Sequence, residues 1–145
     1  LNPLSVKEIS SLLSTRWSSP IKKPNNIQDQ PPHHQWDATS QAVLVILWGL
    51  LIYPQLDPDL QSNQRSHITV DELIRLFGDY VGQQESCMNF LLMFKQHDYI
   101  RLEGKKTLRI IPGTGLLASI DAAKMYRYFR NSVLSRRMFH YQQGL

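Results

Sequence analysis

Cysteine is almost missing from this chain. Cys87 stands alone, so no internal disulfide can form, and a reducing cytoplasmic setting is the expectation. Long hydrophobic runs are missing too. The longest, Ala42 to Tyr53, has twelve residues, against about 20 needed to span a bilayer, so no membrane partner is expected. Leu1-Asn2-Pro3-Leu4 lacks the basic-then-apolar layout of a signal peptide. Enzyme and metal signatures are equally scarce. His33-His34, His67, His97 and His140 are scattered, with no CxxC or HExxH to focus an ion. Gly113-Thr114-Gly115 is too short for a phosphate-binding loop, Asp57 and Asp59 flank Pro58 in what reads as a turn, and Cys87 lies in an apolar stretch. The expectation is a protein that works by binding, with no catalytic residue, cofactor or metal.

Acidic residues are sparse in one region only. From Lys95 to Leu145 there are ten Lys or Arg against three Asp or Glu, whereas the first 94 residues hold six against nine. Such polarity suits a face turned to a polyanion; a solvated surface with clustered charge is the plainer alternative. Apolar residues make up 42% of the chain and charged residues 19%, enough for a real core and too apolar for wholesale disorder.

The order of elements along the 145 residues suggests three parts: an arm and linker (1–35), a central domain (36–113) and a C-terminal helix (114–145). Residues 5–17 read as a short helix. Ser5 and Glu8 have the spacing of a capping box, and Ile9, Leu12 and Leu13 share a face. Residues 18–35 are rich in Pro, Asn and Gln and read as a linker, so the first helix is an arm free to pack on the body or on a protein partner. Asp37 or Thr39 can cap a helix running to Tyr53, apolar on all sides and therefore central, with Pro54 as its stop. Residues 54–66 read as a polar loop.

Thr69-Val70-Asp71-Glu72 has the pattern of a capping box, and Ile68 and Leu73 fit a hydrophobic staple. Leu73, Leu76, Phe77 and Tyr80 recur at helical spacing and Gly82 ends the run. A second helix covers 84–97. The period then changes to two: residues 98–102 alternate, Gly104 turns the chain, and 107–111 alternate back as a hairpin closed by Pro112-Gly113. Leu116 to Phe139 reads as one long helix with no Gly or Pro inside. The fold class is therefore mainly α with a small β-hairpin, α+β.

Stretch 67–111 resembles the winged-helix branch of the helix-turn-helix superfamily. Ile68-Thr69-Val70-Asp71-Glu72-Leu73 is similar to the family's short strand entering its second helix. His97-Asp98-Tyr99-Ile100-Arg101-Leu102 is similar to the exit from the recognition helix into the wing, and Lys105-Lys106-Thr107-Leu108-Arg109-Ile110 to the returning wing strand. The resemblance implies DNA as partner and a role in transcription regulation or as a nucleoid or replication accessory factor. One departure is visible. The recognition helix of DNA-binding members offers basic and polar side chains to the major groove, whereas Gln84, Glu85, Ser86, Asn89, Lys95 and Gln96 include only one base. Gln84 and Asn89 have the amides that read adenine edges.

Three constellations then stand out. The wing carries Arg101, Lys105, Lys106 and Arg109, suited to phosphate or simply to a soluble, edge-protected hairpin. The last helix interleaves Lys124, Tyr126, Arg127, Tyr128, Phe129, Arg130, Arg136, Arg137, Phe139 and Tyr141. Arg127, Arg130, Arg136 and Arg137 are candidate nucleic-acid contacts, and the aromatics either form core or stack single-stranded bases, as in RNA or single-strand binding. Ile120, Leu134 and Met138 make a second apolar seam, a candidate homodimer interface. The alternative function is a protein-interaction subunit of a larger complex, such as one in chromosome segregation.

Overall fold

The computed structural model describes residues 5–13, 31–57 and 67–132, together with Ser135 and Met138. The fold is α+β: mostly helical, with one three-stranded antiparallel sheet. The elements are α1 (Val6–Ser10), α2 (Ala38–Leu51), α3 (Tyr53–Leu56), β1 (Ile68–Thr69), α4 (Val70–Val81), α5 (Gln84–Gln96), β2 (Ile100–Glu103), β3 (Arg109–Pro112), α6 (Thr114–Ala118) and α7 (Ala122–Arg130).

Helix α2 is the axis of the core. Asp37 caps it by accepting the Ser40 N–H at 3.0 Å, and every residue from Ser40 to Leu51 is buried. A helix apolar on all sides has to be surrounded. Pro54 does not follow a continuous helix to Tyr53. The chain turns at Ile52, and Pro54 sits in the first turn of α3, where its missing N–H leaves no bond unmade.

Helix α1 is capped as its sequence suggests: Ser5 Oγ accepts the Glu8 N–H at 3.1 Å, and Glu8 reaches back to Ser5. It packs against α2, with Ile9 and Leu13 buried, so its apolar face is covered by the body. Residues 14–30, the end of the expected first helix and most of the expected linker, lie outside the described residues. The linker's last four, Pro32–Gln35, instead form a 3-10 turn with His33 buried. Proline and histidine hid this turn from a compositional reading, because what buries it is contact with distant residues.

The Thr69 capping box forms in full. Thr69 Oγ1 accepts the Glu72 N–H at 3.1 Å and Glu72 Oε1 accepts the Thr69 N–H at 3.1 Å. Ile68 and Leu73 are both buried. Helix α4 buries Val70, Leu73, Phe77 and Val81, bends at Phe77, and ends at Gly82 with φ 78°, a left-handed conformation that favours glycine. Helix α5 buries Cys87, Leu91 and Phe94. The sheet order is β1-β3-β2. Leu102 faces Ile110, which also faces Ile68, so these three share the inner surface; Glu103, Arg109 and Thr69 share the outer one.

The long helix expected over 116–139 is interrupted. Helix α6 stops at Ser119, and Asp121 starts α7 by accepting the Lys124 N–H at 3.1 Å. Short polar side chains compete with the helical backbone for hydrogen bonds, so Ser119-Ile120-Asp121 ends one helix and starts another without Gly or Pro. Helix α7 then buries Met125 and Phe129. Gly49 makes this approach possible: a Cβ there would lie 2.5 Å from Phe129 Cζ and 2.8 Å from Met138 Cε. Among the described residues no helix is long and apolar enough to cross a membrane.

Candidate nucleic-acid interface

The hairpin is built by alternation. Its inward positions, Ile100, Leu102 and Ile110, join the core or pack against it, which leaves Arg101, Glu103 and Arg109 turned outward. Beyond the last pair, Glu103 and Arg109, the chain reverses through residues 104–108. Gly104 has φ 106°, and a Cβ there would run into the Thr107 carbonyl, so this position requires glycine. The backbone is anchored behind the tip by the Val70 N–H, which donates to Leu108 O at 3.0 Å. Lys105 and Lys106 are thereby carried, exposed, on the outermost part of a pinned loop.

The four cations of the hairpin are not equivalent. Arg101 Nε lies 3.3 Å from Asp98 Oδ1, and Arg109 Nη2 lies 3.8 Å from Glu103 Oε1, all four side chains being about half exposed. The hydrogen bond from Arg101, followed by one from Thr114, holds the Asp98 carboxyl below its ordinary range. Exposed pairs of this kind contribute about 0–1 kcal/mol, so a phosphate can displace the carboxylate at little cost. Lys105 and Lys106 have no acidic partner among the described residues.

On α5, Gln84 and Asn89 are exposed as base reading would require, and so is Lys95. The helix nevertheless presents a nearly uncharged outer stripe of Glu85, Asn89, Leu92 and Gln96, with Leu92 50% exposed. Cys87 is buried, and burial pushes its thiol up to about 11, which keeps it protonated and unreactive.

The C-terminal candidates separate. Arg127 is exposed on α7. Arg130 is engaged within the fold: its Nη1 donates to Asp57 Oδ1 at 3.0 Å, and Asp57 is buried while Arg130 is 43% exposed. The Tyr53 phenol donates to the other carboxylate oxygen of Asp57. Burial first, and then Asp57 itself, raises the Tyr53 phenol above its ordinary range. Asp57 is thus a buried acceptor tying α3 to α7, not merely part of a surface turn; it lies next to a proline in a polar stretch, and nothing local signals its burial. The expected dimer seam is turned inward at two of its three positions. Ile120 and Met138 are 7% and 2% exposed and belong to the chain's own core, because α7 folds back over Gly49. Leu134, Arg136 and Arg137 lie outside the described residues.

Sequence reading missed a further cluster. His33, Trp36, Phe94, His97 and Tyr99 come together where the 3-10 turn meets the end of α5, with Trp36 stacked on Phe94 at a 5.1 Å centroid distance. Local spacing could not reveal it, since His33 and Tyr99 are 66 positions apart. No group of His, Cys, Asp and Glu among the described residues could hold a metal ion. Neither a family model, nor a curated protein, nor a solved structure matches this chain.

Proposed function

We propose that this protein binds nucleic acid, with duplex DNA as the first candidate, through the basic hairpin between β2 and β3, in the manner of a winged-helix protein. One observation carries the reading: Lys105 and Lys106 are held exposed, without acidic partners among the described residues, at the tip of a hairpin anchored to the core. The antiparallel β1-β3-β2 order behind the α4–α5 pair supports it, as does the excess of basic residues after position 95. Phosphate contacts give affinity and register, whereas base contacts give sequence preference. With one base and one acid on α5, affinity rests mainly on the hairpin, and a regulatory role would need Gln84 and Asn89 to supply the preference.

The test is a salt titration of duplex binding compared with single-stranded DNA and RNA. Each phosphate contact contributes about 0.9 to the slope of log affinity against log salt on duplex. Lys105→Ala with Lys106→Ala is expected to lower that slope by about 2 on every sequence. No duplex binding by the wild type at low salt defeats the reading.

A second reading is favoured by α5 alone. An outer stripe with one acid and a half-exposed Leu92 suits a protein partner better than phosphate. Leu92→Lys would abolish such docking and leave, or slightly strengthen, binding to DNA.

A further inference from the structure

The cluster around His33 is not used by the hairpin, and its chemistry points to a different property. His33 is 2% exposed. Its Nδ1 lies 2.7 Å from the Tyr99 hydroxyl, the same oxygen accepts the His33 backbone N–H at 3.4 Å, and the Gln41 side-chain amide donates to His33 O at 2.8 Å. The turn is thus fastened to α2 and to the root of β2 largely through one residue and its contacts. Trp36 adds a ring contact to Phe94 and His97 on the end of α5.

Every fastening at the ring suits the neutral imidazole. Among the described residues no carboxylate makes an ion pair or hydrogen bond with it. Asp37 is occupied at the start of α2 with the Ser40 N–H. Asp98, next to Tyr99, is occupied with Arg101 and Thr114. The ionisable rings nearby are His34, at a 4.6 Å centroid distance, and His97 beyond Trp36, and neither can offset a positive charge. Burying an unpaired charge is costly. A protonated His33 would therefore leave its site rather than stay in it.

We infer that residues 31–36 form an acid-released strap, whose protonation at His33 detaches it from Tyr99 and Gln41 while the α2 core stays folded. Burial, reinforced by His34, lowers the His33 imidazole from 6.5 to about 4. The released ring takes up a proton near its ordinary value and the fastened ring only near the lower one. The strap is therefore fully fastened above the ordinary value. It loosens as pH falls between the two and gains no further proton-driven release below the lower.

The measurement is amide exchange by residue, corrected for intrinsic rates, comparing about pH 7 with about pH 4.5. The His34 and Trp36 amides, which donate to Pro31 O and His33 O, are the reporters. The wild type is expected to open in this segment roughly fifty- to a hundred-fold more at the lower pH, from the two imidazole values above, with α2 amides unchanged. His33→Asn, whose amide can replace Nδ1 against Tyr99 but takes no proton, should hold the segment closed at both. If that variant closes poorly, Tyr99→Phe gives the complementary check: more opening at neutral pH, with a smaller further increase in acid. Strap amides that stay protected in acid, equal acid opening in wild type and His33→Asn, or opening only together with α2 would each overturn the inference.

Discussion

The hairpin and helix α7 are the two basic stretches of the described chain, and they use their charge in opposite ways. The hairpin has core residues on one face and carries its lysines outward beyond the last strand pair. Helix α7 carries basic residues between aromatics, yet its Arg130 is bound to a buried carboxylate and its Met125 and Phe129 are core. Counting charges treats the two alike. What separates them is whether an acid from elsewhere in the fold is waiting, and in α7 Asp57 supplies one from 73 positions away. The lesson is that a cation is available to a partner only where the fold has not already used it.

That contrast can be broken by substitution, because stability should respond at α7 and binding should respond at the hairpin. Phe129→Ala should have the largest effect. Its ring is fully buried and stacks near Trp48 and Tyr53, and large-to-small changes of this kind cost about 3–5 kcal/mol, measurable as a lowered denaturant midpoint. Asp57→Ala comes next. It leaves the Tyr53 hydroxyl without its acceptor and Arg130 without its counter-charge. Because Arg130 is half exposed and water can reach it, the expected loss is about 2 kcal/mol rather than the larger cost of a fully buried pair. Equal stability of Asp57→Ala and wild type in chemical unfolding would show that the α3–α7 tie contributes nothing.

Thr69→Ala sits between the two regions, since Thr69 caps α4 and pairs with Arg109 of the hairpin. It should cost about 1 kcal/mol from the lost cap, with the salt slope of binding unchanged. The smallest stability effect belongs to Lys105→Ala with Lys106→Ala, within about 0.5 kcal/mol as for other exposed positions, although this pair should change nucleic-acid binding most. A hairpin double variant as destabilised as Phe129→Ala would erase the distinction drawn between the two regions.

Much of this molecule is determined by sequence acting locally. The two capping boxes need only Ser5 with Glu8 and Thr69 with Glu72, each pair three residues apart, so the pattern alone specifies the bonds. The turn at Gly104 and the stop at Gly82 follow from the one residue that tolerates their positive φ. The all-apolar α2 announces its central place, because no face of it could meet water at small cost. Charge asymmetry is likewise legible, since it requires no geometry.

Tertiary structure decided the rest, for reasons of distance and competition. Packing against α2 and Tyr99 turned the apparent arm and the last residues of the apparent linker into parts of the body. Gly49 admitted Phe129 and Met138, and two positions of the seam that resembled an interface, Ile120 and Met138, became core. Asp57 withdrew Arg130 from the set of free cations. Periodicity reports which residues share a face, but the face is assigned to core, partner or solvent only when elements far apart in sequence compete to cover it. The availability of Lys105 and Lys106 was therefore legible only as a possibility until the chain's own acids were placed elsewhere.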